Sequence, residues 1–479
     1  MVRRDMIVAG AGKSRACVSE RIMALAALTA CAMFIAAPAS AETISNALAR
    51  AYVYNPDLNQ QRASGRSTDE NMPSALSGYR PTITATSDIG RAWQETHSGA
   101  AAKTPGDARA STTPRGAGLT LTQNLWNGNR TMNGVSRAEA QIFSAREQIR
   151  LTEQNVLANA ATSYMNVLRD TAILNLRRNN VEVLEQQLRQ TRDRFQVGEV
   201  TRTDVAQSEA SLAQGQADAF TAQSNLQTSI ANYRNVIGDE PKNLQAARPL
   251  DKLIPPSLQA AIGMSEMEHP ALQAARFTAE AAKINVRVIE GQLYPTIGLT
   301  GSLARRNDAI ASPGVNSTQA SIVGSLSVPI YEGGATYAAV RQAKELFSQS
   351  QLQADLQRET IRATVVSTWG VWANSSAVIQ AAQAQVRAAE IALNGVREEA
   401  KVGQRTTLDV LNAQQVLLNA RVLLVTAQRD RVVGSYSVVA STGRLSASTL
   451  GLEVTTYDPT IHYEQVKGKW IGTGTPDGR

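Results

Sequence analysis

Only 5% of the 479 residues are aromatic, although 43% are apolar. A core with so few rings, filled by Ala, Leu and Val, suits close-packed helices better than a globular enzyme. Cysteine is nearly absent: Cys17 and Cys31 are the only two, both in a stretch expected to be removed, which leaves no thiol for disulfides, metal or catalysis. The three histidines, His97, His269 and His462, are far apart and in no metal-ligand spacing, so each reads as a solvated or capping residue. No nucleophile motif is present, and the residues call for no cofactor or metal. After the leader, no segment approaches the roughly 20 apolar residues of a transmembrane helix. The charge of +7 falls to +4 once the leader's five basic and two acidic residues are set aside, and the remaining basic residues are scattered among acidic ones. That is no nucleic-acid footprint.

What is there begins with an export signal over residues 1–41. Arg3, Arg4, Lys13, Arg15 and Arg21 precede the apolar run 23–37, and Ala39-Ser40-Ala41 supplies a small-residue cleavage site. The mature chain is expected to start at Glu42. Leu28-Thr29-Ala30-Cys31 also resembles a lipoprotein cleavage box, which leaves lipidation of Cys31 open. Gly12-Lys13-Ser14 is a decoy for a phosphate-binding loop, because Ile7 stands where that loop needs glycine.

The rest is an internal duplication. Residues 116–238 lie on 321–443 without a gap, and the match continues upstream at an offset nine residues larger. The first copy is expected over 42–250, the second over 256–443, with a tail at 444–479 that either wraps the outside or is mobile. Each copy reads as a Pro-containing helical stretch, a strand, a Ser/Gly/Ala/Thr loop, a second strand, a very long helix and a returning helix. The strands are expected at 82–93, 117–126, 296–306 and 320–331, each the length of a tilted bilayer-spanning strand. The loops fall at 94–114 and 307–318. The helices fall at about 135–197, 201–237, 336–402 and 406–442.

Residues 135–197 hold no Gly or Pro, which at 1.5 Å per residue gives a helix of about 95 Å. Its apolar residues recur every seven, at Val167, Leu174, Val181, Leu188 and Phe195, and the second copy keeps the register with Trp372, Ile379, Val386, Leu393 and Ala400. A seven-residue stripe implies left-handed supercoiled packing on neighbouring helices. Periodicity alone leaves a solvated coiled coil open.

Four strands cannot close a barrel, since the smallest need about eight. Either they pair in a soluble sheet or several chains pool them. The leader, the strand lengths and aromatics at matched strand ends (Trp126, Tyr331) favour pooling.

Both copies carry Val-Gly-x-x-Thr-x-x-Asp-Val where one helix ends and the next begins, at 197–205 and 402–410. Gly198 and Gly403 fit the left-handed residue that terminates a helix. Thr201-x-x-Asp204 and Thr406-x-x-Asp409 fit an N-cap with an acidic partner at the third position, a variant of the capping box.

These frames, together with Ser327-Val328-Pro329-Ile330-Tyr331-x-Gly333-Gly334 and Ala161-Thr162-Ser163-Tyr164-x-Asn166-Val167-Leu168, resemble the TolC family of outer-membrane efflux proteins over about residues 43–443. The resemblance implies a mixed fold: a homotrimer whose twelve-stranded β-barrel in the outer membrane continues into a twelve-helix coiled-coil barrel in the periplasm. It implies no enzyme but a passive duct of a tripartite efflux pump or type I secretion system, opened at its periplasmic tip by a periplasmic adaptor and an inner-membrane transporter. It places Asp409 at a periplasmic constriction, where three copies would form an acidic ring; the family's second inward aspartate is Asn412 here. It also implies a latch between the hairpins, with Arg405 on one side and Thr203 and Asp204 on the other. A tyrosine that helps hold that latch in the family is Ala400 here. The rival reading is a periplasmic coiled-coil adaptor without a pore, which would explain the hairpins but not the strands.

Overall fold

The structure is a computed structural model of a single chain, and it describes residues 42–98, 106–309, 312–476 and 478. The expected leader, with Cys31, lies outside the described residues. The first copy opens with three short helices, α1 (Ile44–Tyr54), α2 (Pro56–Asp69) and α3 (Asn71–Leu76), each started by local chemistry where its sequence allows. Thr43 caps α1 by accepting from Asn46 N–H, and Asn55 caps α2 ahead of Pro56, whose missing N–H costs nothing at a first helical position.

Strands β1 (Thr82–Ile89), β2 (Ala92–Ser98), β3 (Gly106–Thr112) and β4 (Arg115–Trp126) follow. Then come α4 (Arg130–Gln196) and α5 (Arg202–Ile237). The second copy holds α6 (Leu258–Glu268), α7 (Pro270–Glu290), β5 (Thr296–Ala309), β6 (Ser312–Ser327), α8 (Ala335–Lys401) and α9 (Thr407–Ser441); α10 (Pro459–Val466) lies in the tail. The two long helices each contain 67 residues, about 100 Å at 1.5 Å per residue.

Two sequence expectations change here. Much of 94–114, expected as loop, forms β2 and β3, which pair from Ala92↔Thr112 to Ser98↔Gly106 and carry an Arg109–Glu95 ion pair at 2.5 Å. In the second copy β5 and β6 run three residues past and eight residues before the expected ends, pairing out to Ala309↔Ser312. Small polar residues look like loop in one dimension, yet each finds an extended partner across the hairpin. At the other end β6 stops at Ser327, because Pro329 has no N–H to give a ladder. Tyr331 therefore lies off the strand and is 85% exposed.

The main sheet is antiparallel in the order β1-β4-β5-β6, so one edge comes from each copy and neither is paired among the described residues. Below it α5 packs on α4 and α9 on α8, α7 lies between the upper parts of α4 and α8, and α9 also meets α4. The sevenfold stripe supplies these seams: Val167, Leu174 and Leu188 are buried on α4, and Leu393, Val410 and Leu417 cluster between α8 and α9. Among the described residues α9 is the one helix long and apolar enough to cross a membrane. That corrects the expectation that no such segment follows the leader. The excess apolarity has another use, since α9 must face both α8 and α4.

The largest core sits halfway along α4, where Leu157, Ala160 and Tyr164 meet Leu48 and Tyr52 of α1, Tyr233 of α5, Tyr436 of α9 and Leu445 of the tail. Tyr164 donates its hydroxyl to the carbonyls of Glu42 and Gln245, both at 2.7 Å. This girdle ties Glu42, the connection between copies and the tail to one height on the long helix.

Candidate functional site: a two-faced sheet and a pair of hairpin tips

The register sorts the main sheet into two chemically different faces. On one face Ile83, Leu121, Gly301 and Ile322 lie in a row across the four strands, as do Ala85, Leu119, Leu303 and Ala320. On the other, Thr84, Thr120, Ser302 and Ser321 form the adjacent row, and Ser302 and Ser321 hydroxyls share a hydrogen bond at 2.8 Å. Farther out on that face Asp88 pairs with Arg306 at 3.4 Å. In a soluble protein the apolar rows would be covered, but here Ile322 is 80% exposed and, among the described residues, no element lies over it. An apolar face opposite a hydroxyl-bearing one is the division a membrane barrel makes between lipid and lumen.

At the base of the sheet Trp126 reaches the edge of Tyr294, with ring centroids 6.5 Å apart. Tyr294 is thus a further aromatic at this level, packed on Trp126. Its position just before Pro295, at the start of β5, was the signal for it.

About 100 Å away, at the far end of α4 and α8, are the two tips. Gly198 and Gly403 both have φ +78°, the left-handed region that any side chain would strain. Each closes a Schellman turn: Glu199 N–H donates to the Arg194 carbonyl at 2.9 Å, and Gln404 N–H to the Glu399 carbonyl at 3.0 Å. The returning helices start with reciprocal caps. Asp204 N–H donates to Thr201 Oγ1 at 3.3 Å while Thr201 N–H donates back to Asp204 Oδ2 at 2.9 Å. In the second copy the same pair of bonds, Asp409 to Thr406 and back, measures 3.2 and 3.0 Å.

The caps set the electrostatics of the tips. Thr406 donates both its backbone N–H and its hydroxyl to Asp409 Oδ2, and with Arg405 nearby these hold the Asp409 carboxyl below the usual range. Asp409 is therefore an anion at neutral pH, with Oδ2 committed to the cap. Thr203 and Asn412 are both exposed at the tips. Within the chain Arg405 does not meet Asp204. Its Nε donates to Glu399 Oε2 at 2.8 Å, and this partner pushes the guanidinium pKa further up. Glu399 was missed in the sequence, where its signal was an acid six residues before Arg405, across a turn that reverses the chain.

A sheet dressed for lipid on one face, set on helices of about 100 Å that end in capped hairpins, defines an outer-membrane channel protein. Comparison with known proteins agrees. The family model for outer membrane efflux proteins matches residues 44–239 and 261–444, one segment in each copy. The outer membrane efflux protein BepC of Brucella suis is 40% identical over 461 residues, which cover 96% of this chain and 98% of that one. The outer membrane protein TolC of Escherichia coli is 26% identical over 86% of this chain and 84% of its own. The solved CmeC outer membrane channel of Campylobacter jejuni shares the fold, with a TM-score of 0.76 over 89% of both chains at 17% identity. The chain belongs to this family, the TolC-type outer-membrane efflux channels.

Proposed function

We propose that three copies join head to tail, β6 of one beside β1 of the next, into a twelve-stranded barrel with the helices below forming a twelve-helix periplasmic tunnel. The observation that carries this is the pair of unpaired edges, which differ from each other, flanking a sheet whose apolar face is uncovered. Lipid tolerates no open strand edge, so the sheet must close on further copies. Unlike edges make a heterologous contact, which forms a ring when the rotation between copies closes. Three copies give a barrel wide enough to leave a lumen behind the hydroxyl face.

The duct is passive. A periplasmic adaptor and an inner-membrane transporter supply cargo and energy, and the hairpin tips are where they act. Three Asp409 carboxylates converge at the constriction, followed by Asn412, and Arg405 holds the second hairpin to Thr203 and Asp204 of the first in the closed state. The exchange of Arg405 between Glu399 and that latch is the gate's bias. An exposed ion pair is weak, which suits a gate that a partner must open.

Protein extracted in detergent is expected to sediment as three chains and to conduct ions in planar bilayers. Cysteines scanned along β1 and β6 should form disulfides between chains. A stable monomer recovered without detergent would instead favour the poreless adaptor, and one that never conducts would end the channel reading.

A further inference from the structure

The tail carries a feature that export does not use. From Gly443 it runs along α4 toward the sheet. Ala447 N–H donates to Glu153 Oε1 at 2.8 Å, Tyr457 N–H donates to the Tyr52 hydroxyl at 2.8 Å, and the Tyr463 ring lies 5.1 Å from the Arg146 guanidinium. The run ends at Arg80, two residues before β1, where Arg80 Nη1 donates to the Lys469 carbonyl at 2.7 Å and its guanidinium lies 4.6 Å from the centre of the Trp470 ring. Gly78, just before, packs on Thr131 in the first turn of α4. From the level of Glu153 to that of Thr131 the tail climbs about 33 Å at 1.5 Å per residue.

Trp470 is thus pinned at the junction of sheet and helices, the height of Trp126 and Tyr294. It is 67% exposed and Ile471 is 90% exposed, so among the described residues neither is enclosed, Arg80 touching one face of the indole. Lys467 and Lys469 precede them; the Lys467 ammonium contacts Glu464, and the Lys469 ammonium contacts the Gly474 carbonyl. Indole rings partition to the headgroup layer, where the ring is apolar and its N–H wet, and nearby lysines favour phosphate. The tip continues the aromatic zone at the base of the lipid-facing sheet.

We propose that Trp470 and Ile471 insert into the headgroup region of the periplasmic leaflet, so that the tail fastens the helical girdle to phospholipid. This rests on the outer-membrane reading above. The strap from Glu153 to Arg80 gives the tip its height, and the Arg80 stack keeps it from folding back.

No cysteine follows Cys31, so Ile471→Cys in the mature chain takes a single environment-sensitive dye. Thr455→Cys, exposed lower on the tail, serves as the control. In vesicles of phosphatidylethanolamine and phosphatidylglycerol, the dye at 471 is expected to emit blue-shifted and to be quenched by lipids brominated just below the headgroups. The control should respond only to aqueous iodide. Adding Trp470→Ala should abolish the blue shift at 471. Iodide quenching of both sites without lipid quenching overturns the anchor, and protection from both quenchers overturns it in favour of contact with a second copy of the chain. Conductance of the same vesicles keeps the two readings apart: an unquenched tip on conducting channels removes the anchor and leaves the channel.

Discussion

Arg405 Nε lies 2.8 Å from Glu399 Oε2, so the arginine that sets the second tip apart from the first is held by a carboxylate of its own hairpin. In the proposed latch, Glu399 and Asp204 compete for one cation. Arg405→Ala and Asp204→Ala are expected to raise the conductance of the resting channel by loosening the closed end. Glu399→Gln should lower it, because the freed guanidinium turns to Asp204. Single-channel recordings check this; a rise for Glu399→Gln would sink the competition.

The proposed constriction has its own test. Asp409 is anionic at neutral pH, so Asp409→Ala should weaken block by multivalent cations. Block of unchanged affinity in bilayer recordings would remove Asp409 from the narrowest part of the path.

The two faces of the sheet predict opposite responses to one charge. Leu303→Arg, on the apolar face, should destabilise the assembled barrel by roughly 2–4 kcal/mol, the cost of arginine near a bilayer midplane. Thr120→Arg, in the hydroxyl row, should assemble normally and shift ion selectivity toward anions. Mobility of unheated samples on denaturing gels reads the first effect, and reversal potentials read the second.

The tips, the stripe and the duplication were legible in the sequence because each follows a local or periodic rule. Gly198 and Thr201 announce a turn and a cap wherever they occur, and Val167 to Leu188 repeat a spacing that only a packed helix uses. The β2–β3 hairpin was hidden because Ser, Thr and Ala say little until a partner strand is chosen. The tail was hidden because its contacts are distant in sequence and unpatterned. Arg62, for example, lies 4.5 Å from the Tyr52 ring and 5.2 Å from that of Tyr457, a sandwich no periodicity marks. His462 departs from the solvated or capping role expected of it, since it is enclosed and its Nδ1 lies 2.9 Å from Asp69 Oδ2.

His269 is a cap whose burial couples its titration to stability. Its Nδ1 accepts from Ala271 N–H at 3.2 Å at the start of α7, and burial pushes its pKa down from 6.5 to about 4. The unfolded chain takes up this proton near pH 6.5 and the folded chain only near pH 4. Stability is then complete above pH 6.5 and falls as pH drops toward 4, by about 3 kcal/mol at most. His269→Asn keeps a capping side chain and should flatten the unfolding midpoint between those two pH values. An unchanged slope would move the acid response elsewhere.

Gly443 ends the second copy with φ +84°, and a Cβ there would come 2.6 Å from His269 Cα. Gly443→Ala combines left-handed strain of roughly 1–2 kcal/mol with a backbone clash. It should therefore cost more than the same change at Gly451, where φ is +62° but the space is open. Urea titration of both variants checks the order.

The equal count of 67 residues in α4 and α8 brings both tips to the same level. One inserted residue would lift its tip by about 1.5 Å and swing it by about 100° around the helix axis. Thr406 and Asp409 would then point in a different direction about the helix axis than they do now, however well the turn still formed. Length is thus constrained as tightly as any side chain in this molecule, and a gain or loss in one arm calls for a matching change in the other.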